Sequence, residues 1–229
     1  MDKKLIYNEI INQVTAADNI FLATHENPDG DAIASLCAAA EWLTNLRKNF
    51  YLFCADEAEA SFHFLPQSEK INKQPPADFA SFDLALILDC GSLRRTKIAT
   101  ALQGLRTAII NIDHHLSNDQ FGVINLVDAD AVSTTQVLYE FFKYSKVDIS
   151  RQLANCILTG IITDSGNFAY AATNPHTFRV ASEMIMSGAN VRSILTSTAK
   201  NKNLATLKAW GFALSNLRYN PNYDIAYTV

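Results

Sequence analysis

The stretch "NIFLATHENPDGDAIAS", residues 19–35, decides the fold. Its first half, "NIFLATH", is a short apolar run that ends in polar residues and reads as a buried strand. Its second half opens a helical pattern that continues through "DAIASLCAAAEWLTNL". Pro28 and Gly30 make the turn between them. His25, Asp29 and Asp31 therefore lie where a strand hands over to a helix. Asp31 has two readings at this point, a cap on the following helix or one edge of a metal site.

The same hand-over recurs along the chain. "NFYLFCA", "FDLALILDCGS", "TAIINIDHH" and "GVINLVD" read as strands, the second ending at Asp89 and the third at Asp113, His114 and His115. Residues 3–17 form an amphipathic helical pattern. "STTQVLYEFFKY" reads as a helix with Ser133 and Gln136 in capping-box spacing. "SRQLANCILTGIITDSGNF" carries Asp164 near the end of a helix, and "NPHTFRVASEMIMSGA" is a helix that stops at Gly188. Strands alternating with helices predict an α/β fold, a Rossmann-like, mainly parallel sheet flanked by helices. The tail predicts one or two helices, a turn at Asn220-Pro221-Asn222 and one strand from Asp224. The expected divisions are a domain over 1–187, a helical linker over 188–222, and over 223–229 the first strand of a further, truncated domain, since one orphan strand cannot bury its own face.

Composition narrows the function. Of 229 residues, 48% are hydrophobic and 18% charged, with a net charge of -4. This excludes a disordered chain and bulk attraction to long nucleic acid or an anionic membrane. Cys37, Cys54, Cys90 and Cys156 form no C-x-x-C pair and are expected to be reduced core residues. No apolar run approaches membrane-spanning length, so the expectation is a soluble, cytoplasmic protein. No G-x-G-x-x-G follows the first strand and no G-x-S-x-G occurs, which argues against a nicotinamide-dependent dehydrogenase and a serine hydrolase.

In an open α/β sheet, ligands bind at the C-terminal ends of the strands. His25/Asp29/Asp31, Asp89 and Asp113/His114/His115 are all delivered there, and Asp164 ends a helix that can point at the same crevice. Each alone has a plainer reading: Asp89 as a turn residue, His114 and His115 as loop histidines, Asp164 in a helix-ending turn. Together, the four carboxylates of Asp29, Asp31, Asp89 and Asp164 in one small volume repel one another and need a cation or a proton. Carboxylates with imidazoles and no thiolate suit Mn²⁺ or a similar divalent ion, with Mg²⁺ or Co²⁺ as alternatives. The ligands exceed the needs of one ion. Two ions about 3.5–4 Å apart, sharing a carboxylate and a water, would use them all. His63 and His176 fit no such pattern.

The same residues resemble the DHH phosphoesterase family. "HENPDGDA", "LILDCG", "IDHH" and "GIITDSGNF" are similar to its four motifs, in order and context, over roughly residues 15 to 190. The wording "NPDGDAIAS" and "TGIITDSGNFAYAATNPHTFRVASEM" is most similar to its branch of bacterial nanoRNases and adenosine-bisphosphate phosphatases. The resemblance implies that His25 and Asp29 bind one Mn²⁺, that Asp31, His114 and Asp164 bind the other, and that Asp89 bridges them. It implies that Asp113 holds a histidine by its other ring nitrogen, that His115 faces the substrate phosphate, and that a bridging hydroxide attacks phosphorus in line. Arg95 stands where this branch often has an arginine, contacting phosphate or fixing its loop. Ser133 remains a helix cap.

The implied substrates are very short 5′-phosphorylated oligonucleotides or nucleoside bisphosphates, with self-association as a homodimer left open. The family also carries a smaller second domain with a glycine-rich segment ending in histidine, and no such segment occurs here. Two further readings follow: a pyrophosphatase or polyphosphatase on the same scaffold, and a metal- and nucleotide-binding fragment without turnover.

Overall fold

The computed structural model describes residues 2–103, 108–200 and 204–228. Thr107, residues 201–203 and Val229, which fall within stretches read above as strand or helix, lie outside the described residues. Helix α1 (Lys3–Ala16) leads into β1 (Asn19–Ala23), α2 (Gly30–Asn45), β2 (Asn49–Phe53), β3 (Ile71–Asn72) and β4 (Leu84–Leu88). Then come α3 (Ala99–Gln103), β5 (Ala108–Asp113), β6 (Ile124–Val127), α4 (Thr134–Tyr144), α5 (Arg151–Asp164) and α6 (Pro175–Met186). The chain continues with α7 (Val191–Leu195), α8 (Leu204–Ser215), β7 (Arg218–Asn220) and β8 (Ile225–Tyr227).

The main sheet has the order β3-β2-β1-β4-β5-β6 with every pairing parallel. The order reverses between β1 and β4, so their C-terminal ends flank the crevice of a doubly wound sheet. The expected Rossmann-like parallel sheet is observed. β3 carries only two residues, too few for any period to announce it.

Both faces of the sheet are buried, and the alternation of the strands shows it. Ile20, Leu22, Leu84, Leu86 and Leu88 join the larger core beneath α1, α2, α4 and α5. Phe21, Ala23, Ala85 and Ile87 join a smaller core with Phe53, Leu93, Ile98 and Leu102 on the other face. The four cysteines are buried free thiols. Among the described residues, no helix is long and apolar enough to cross a membrane.

Helices α2 and α5 approach closely where they carry glycine. A Cβ built at Gly160 would collide with Asp31 Oδ1 and the Thr135 hydroxyl, and one at Gly30 with the Thr163 side chain. This brings the start of α2, the start of α4 and the end of α5 to one point. Ser133 is the N-cap of α4, accepting from the Gln136 N–H at 3.1 Å. Only half of the expected capping box forms, because the Gln136 side chain turns to α6 and accepts from the Thr177 hydroxyl at 3.2 Å.

The tail corrects one expectation. The strand at its end is not alone: β8 pairs antiparallel with β7, which the sequence reading placed inside the helical linker. The turn at Asn220-Pro221-Asn222 was legible, and a turn of this kind joins two strands as readily as it ends a helix. α8 and the hairpin are largely exposed, leaving Leu204, Leu207, Phe212, Leu214 and Tyr223 in solvent.

Replacing Gly160 by Ala places a methyl group where Asp31 and Thr135 already stand. The expected cost is about 1–3 kcal/mol, a fall in Tm of roughly 2–10 °C. Thermal denaturation followed by circular dichroism measures it. An unchanged Tm would mean that the helices are not packed this closely.

Candidate metal centre

The sheet delivers the first three elements of the centre. His25 follows β1, and its ring is buried, at 3% exposure. Its Nδ1 lies 2.6 Å from the Glu26 carbonyl, a contact that turns Nε2 toward the crevice. Nε2 faces Asp89 Oδ2 at 3.6 Å and Asp29 Oδ2 at 4.0 Å. Asp89 follows β4 with a left-handed backbone, φ 50°. Its N–H still donates to the Ile112 carbonyl at 3.0 Å, so the strand ladder ends there and the carboxylate swings into the crevice. For a non-glycine residue this conformation costs of order 1–3 kcal/mol, a cost met most often at functional sites. Asp113, His114 and His115 end β5.

Helices supply the rest. Asp29 is the N-cap of α2, accepting from the N–H groups of Asp31 and Ala32 at 3.0 Å each. The capping role considered for Asp31 thus belongs to Asp29. Asp31 is fully buried and caps a different helix: it accepts from Thr134 N at 2.5 Å and Thr135 N at 3.1 Å, at the start of α4. Asp164 ends α5, and its carboxylate lies 3.1 Å from His114 Nε2. His114 Nδ1 lies 3.3 Å from the Ala131 carbonyl, so this ring also points Nε2 at carboxylates, with Asp89 at 3.7 Å.

Three overlapping groups result: His25, Asp29 and Asp89; Asp31, His114 and Asp164; and Asp89, His114 and His115. In each, the ligand atoms lie within 4.8 Å of one another. Oxygen and imidazole donors without thiolate, with the far nitrogen of His25 and of His114 held by a carbonyl, fit a hard to borderline divalent ion. Asp113 stands behind them. It accepts from His115 Nδ1 at 2.7 Å, from the His114 N–H at 2.8 Å and from Asn118 Nδ2 at 2.5 Å. Arg95 lies beside His25, its Nη2 3.1 Å from Nδ1, and its carbonyl accepts from the Glu26 N–H at 2.7 Å. It is tied to the loop after β1. His176 pairs with Glu140 at 2.6 Å on the α4–α6 surface, away from the centre.

The electrostatics are those of anions forced together. Burial, then the Asp89 and Asp164 carboxylates, push the Asp31 carboxyl well up. Burial and Asp89 likewise raise Asp29. Burial opposes a charged His114 ring, but Asp164, Asp31 and Asp89 outweigh it and raise its pKa to about 10. Burial also opposes a charged His25, and Asp89 and the Glu26 carbonyl overcome it and raise it. Asp113 holds the proton of His115 and raises that ring. Burial works to raise Asp113, but the bonds from His115 and Asn118 hold it below the usual carboxylate range.

Residues 19–161 match the DHH family, N-terminal domain. The chain belongs to the DHH family. It is 30% identical over 223 residues to the bifunctional oligoribonuclease and PAP phosphatase NrnA of Thermus thermophilus, covering 96% of this chain and 64% of that protein. It is 25% identical over 217 residues to the protein of the same name from Bacillus subtilis, covering 93% and 67%. The chain thus spans about two thirds of the length of these relatives. An exopolyphosphatase-related protein from Bacteroides fragilis superposes with a TM-score of 0.90 at 24% identity, over 97% of this chain and 68% of that one. That likeness shows the fold.

Two DHH-domain residues in direct contact with the centre carried no signal of this role in the sequence. Thr134 donates its hydroxyl to Asp89 Oδ1 at 2.8 Å, and Asn118 holds Asp113. Thr134 sat beside a recognised helix cap, and Asn118 lay in a polar loop where asparagine is ordinary.

With its pKa raised to about 10, His114 carries near neutral pH a proton on a ring whose lone pair a cation would need, and burial and the neighbouring carboxylates shift Asp31 in the same upward direction. Cation uptake must therefore expel protons, and affinity must rise with pH until these groups have lost them. Calorimetric Mn²⁺ titrations in buffers of different ionisation enthalpy are expected to show release of about one proton or more per chain. Heats independent of the buffer would contradict the assignment.

Proposed function

We propose that this chain carries the metal-binding half of a phosphoesterase that hydrolyses very short 5′-phosphorylated oligonucleotides or nucleoside bisphosphates. The observation that supports this reading most is the sharing of Asp89 and His114 among three ligand groups, which suits two adjacent ions rather than one. On this reading His25 and Asp29 hold one ion, Asp31, His114 and Asp164 hold the other, and Asp89 spans both. Mn²⁺ is the ion we assign. When bound, such a pair acidifies a shared water and neutralises phosphoryl oxygens.

The remaining work falls to the chain's own residues. Asp113 accepts from Nδ1 of His115, fixes the ring and favours its doubly protonated form, whose Nε2–H can donate to a phosphoryl oxygen as its charge grows. Thr134 and the start of α4 hold Asp89 and Asp31 so that they cannot follow the substrate when it moves. Small substrates are favoured because a net charge of -4 supplies no basic groove for a long phosphate backbone. The names of the Thermus and Bacillus relatives agree with this substrate class.

A second reading, a metal- and nucleotide-binding chain with no turnover alone, draws on one observation. α8 and the hairpin expose an extended apolar surface, of the kind other protein normally covers.

Two Mn²⁺ sites are expected in calorimetry, both lost or severely weakened in Asp89→Asn. His115→Ala should keep both sites and lower kcat on a 5′-phosphorylated dinucleotide by about 10²–10³-fold. Hydrolysis indifferent to Asp89→Asn would refute the reading. Faster phosphate release from pyrophosphate than from the dinucleotide would move the assignment to a pyrophosphatase. Binding without hydrolysis would favour the second reading.

A further inference from the structure

Beside the centre lies a cavity of about 490 Å³ that shares Asp29 with it, a volume in the range of small-molecule sites. Phe62 contributes a buried apolar surface, and Tyr170 and Trp210 line the cavity while remaining 62% and 55% exposed. Aromatic rings that line a cavity offer faces on which a flat ligand can stack.

Tyr170 is held in place by the backbone beneath it. Its ring lies against Gly166, where a Cβ would come within 2.6 Å of it. Gly166 also has φ 56°, and the turn continues left-handed through Asn167 and Phe168 at φ 58° and 67°. Any side chain at Gly166 would displace the ring.

The charge of the cavity decides what it can take. Asp29 and Glu59 line it, and no Lys, Arg or His is among the described residues that do. A bare phosphate is repelled by such walls. A flat, neutral ring bearing N–H donors is attracted, since carboxylates and the Asn167 amide accept its hydrogen bonds and the aromatics stack on its face.

We propose that this cavity seats the nucleobase of the substrate against Tyr170 and Trp210 while the phosphate lies at the metal centre next to Asp29. The assignment rests on the phosphoesterase reading and sharpens it, because it selects nucleotides over pyrophosphate or polyphosphate. Stacking reads a π-face rather than a hydrogen-bond pattern, so the site is expected to tolerate more than one base.

Trp210 supplies its own test. The other tryptophan, Trp42, is 4% exposed and packed against Phe141, so a change in tryptophan emission on adding ligand reports Trp210. AMP added to the Mn²⁺-loaded chain is expected to quench emission saturably, with inorganic phosphate and pyrophosphate leaving it unchanged. Trp210→Phe should abolish the signal and keep most of the affinity. By calorimetry, Trp210→Ala and Tyr170→Ala should each weaken AMP binding about tenfold and leave phosphate binding unaltered.

The proposal is overturned if AMP does not quench Trp210, or if both alanine variants bind AMP as the parent does. Its failure is separable from that of the phosphoesterase reading. Saturable quenching by AMP in a chain that cuts no phosphate ester supports the cavity and removes the enzyme. Hydrolysis of a dinucleotide with Trp210 indifferent to it removes the cavity and keeps the enzyme.

Discussion

The buried carboxylate of Asp31 is the joint on which the rest of the centre depends. It sits in the first turn of α2, takes two N–H groups from the start of α4, and lies against the bare Cα of Gly160 in α5. A carboxylate without solvent is tolerated only when its oxygens are partnered, and the helix start provides donors and a favourable dipole together. Those two bonds fix where α4 begins relative to α2. They also fix Thr134, whose hydroxyl reaches Asp89 across the sheet edge. One buried anion thus sets the spacing between ligands that come from four parts of the chain.

The strained positions belong to the same design. β4 must end abruptly if Asp89 is to face the crevice, and the left-handed turn at that residue ends it without losing the bond to Ile112. Asn27, between His25 and Asp29, also has a positive φ. Both costs are met by the core around them, where Leu86, Leu88, Ile110 and Ile112 are essentially without solvent. The ligands are therefore held by elements that cannot yield, the condition for a centre whose anions repel one another before any cation arrives.

Much of this was legible in the sequence, for a reason that also marks its limit. His25, Asp89, His114 and Asp164 each follow an apolar run, and an abrupt polar residue after such a run is a local signal. The parallel sheet was legible from the alternation of strands and helices. The partners that orient the ligands were not: Thr134 is paired with Asp31 and Asp89 over long separations, and Asn118, only five residues from Asp113, looks like any loop asparagine. Asp29 and Asp31 lie two residues apart and either could cap a helix; only the placement of α4 shows that each caps a different one. β3 and β7 escaped because two or three residues carry no period.

The two sides of the centre differ in what holds them. On the sheet side Asp31 and Asp89 are buried and held by bonds from the start of α4, and nothing outside the buried core is needed to keep Asp31, Asp89 and His114 together. On the side of Tyr170 and Trp210 the walls come from a turn after α5 and from α8, a helix with no buried residue. A helix that is apolar on all faces draws its order from whatever covers it rather than from itself. Metal affinity and nucleotide affinity should therefore respond differently to a partner laid over α8 and the hairpin. The first is set within the core and stays as it is. With the base seated as proposed, the second depends on how firmly Trp210 is held, so covering α8 would strengthen that grip without moving any of the candidate metal ligands.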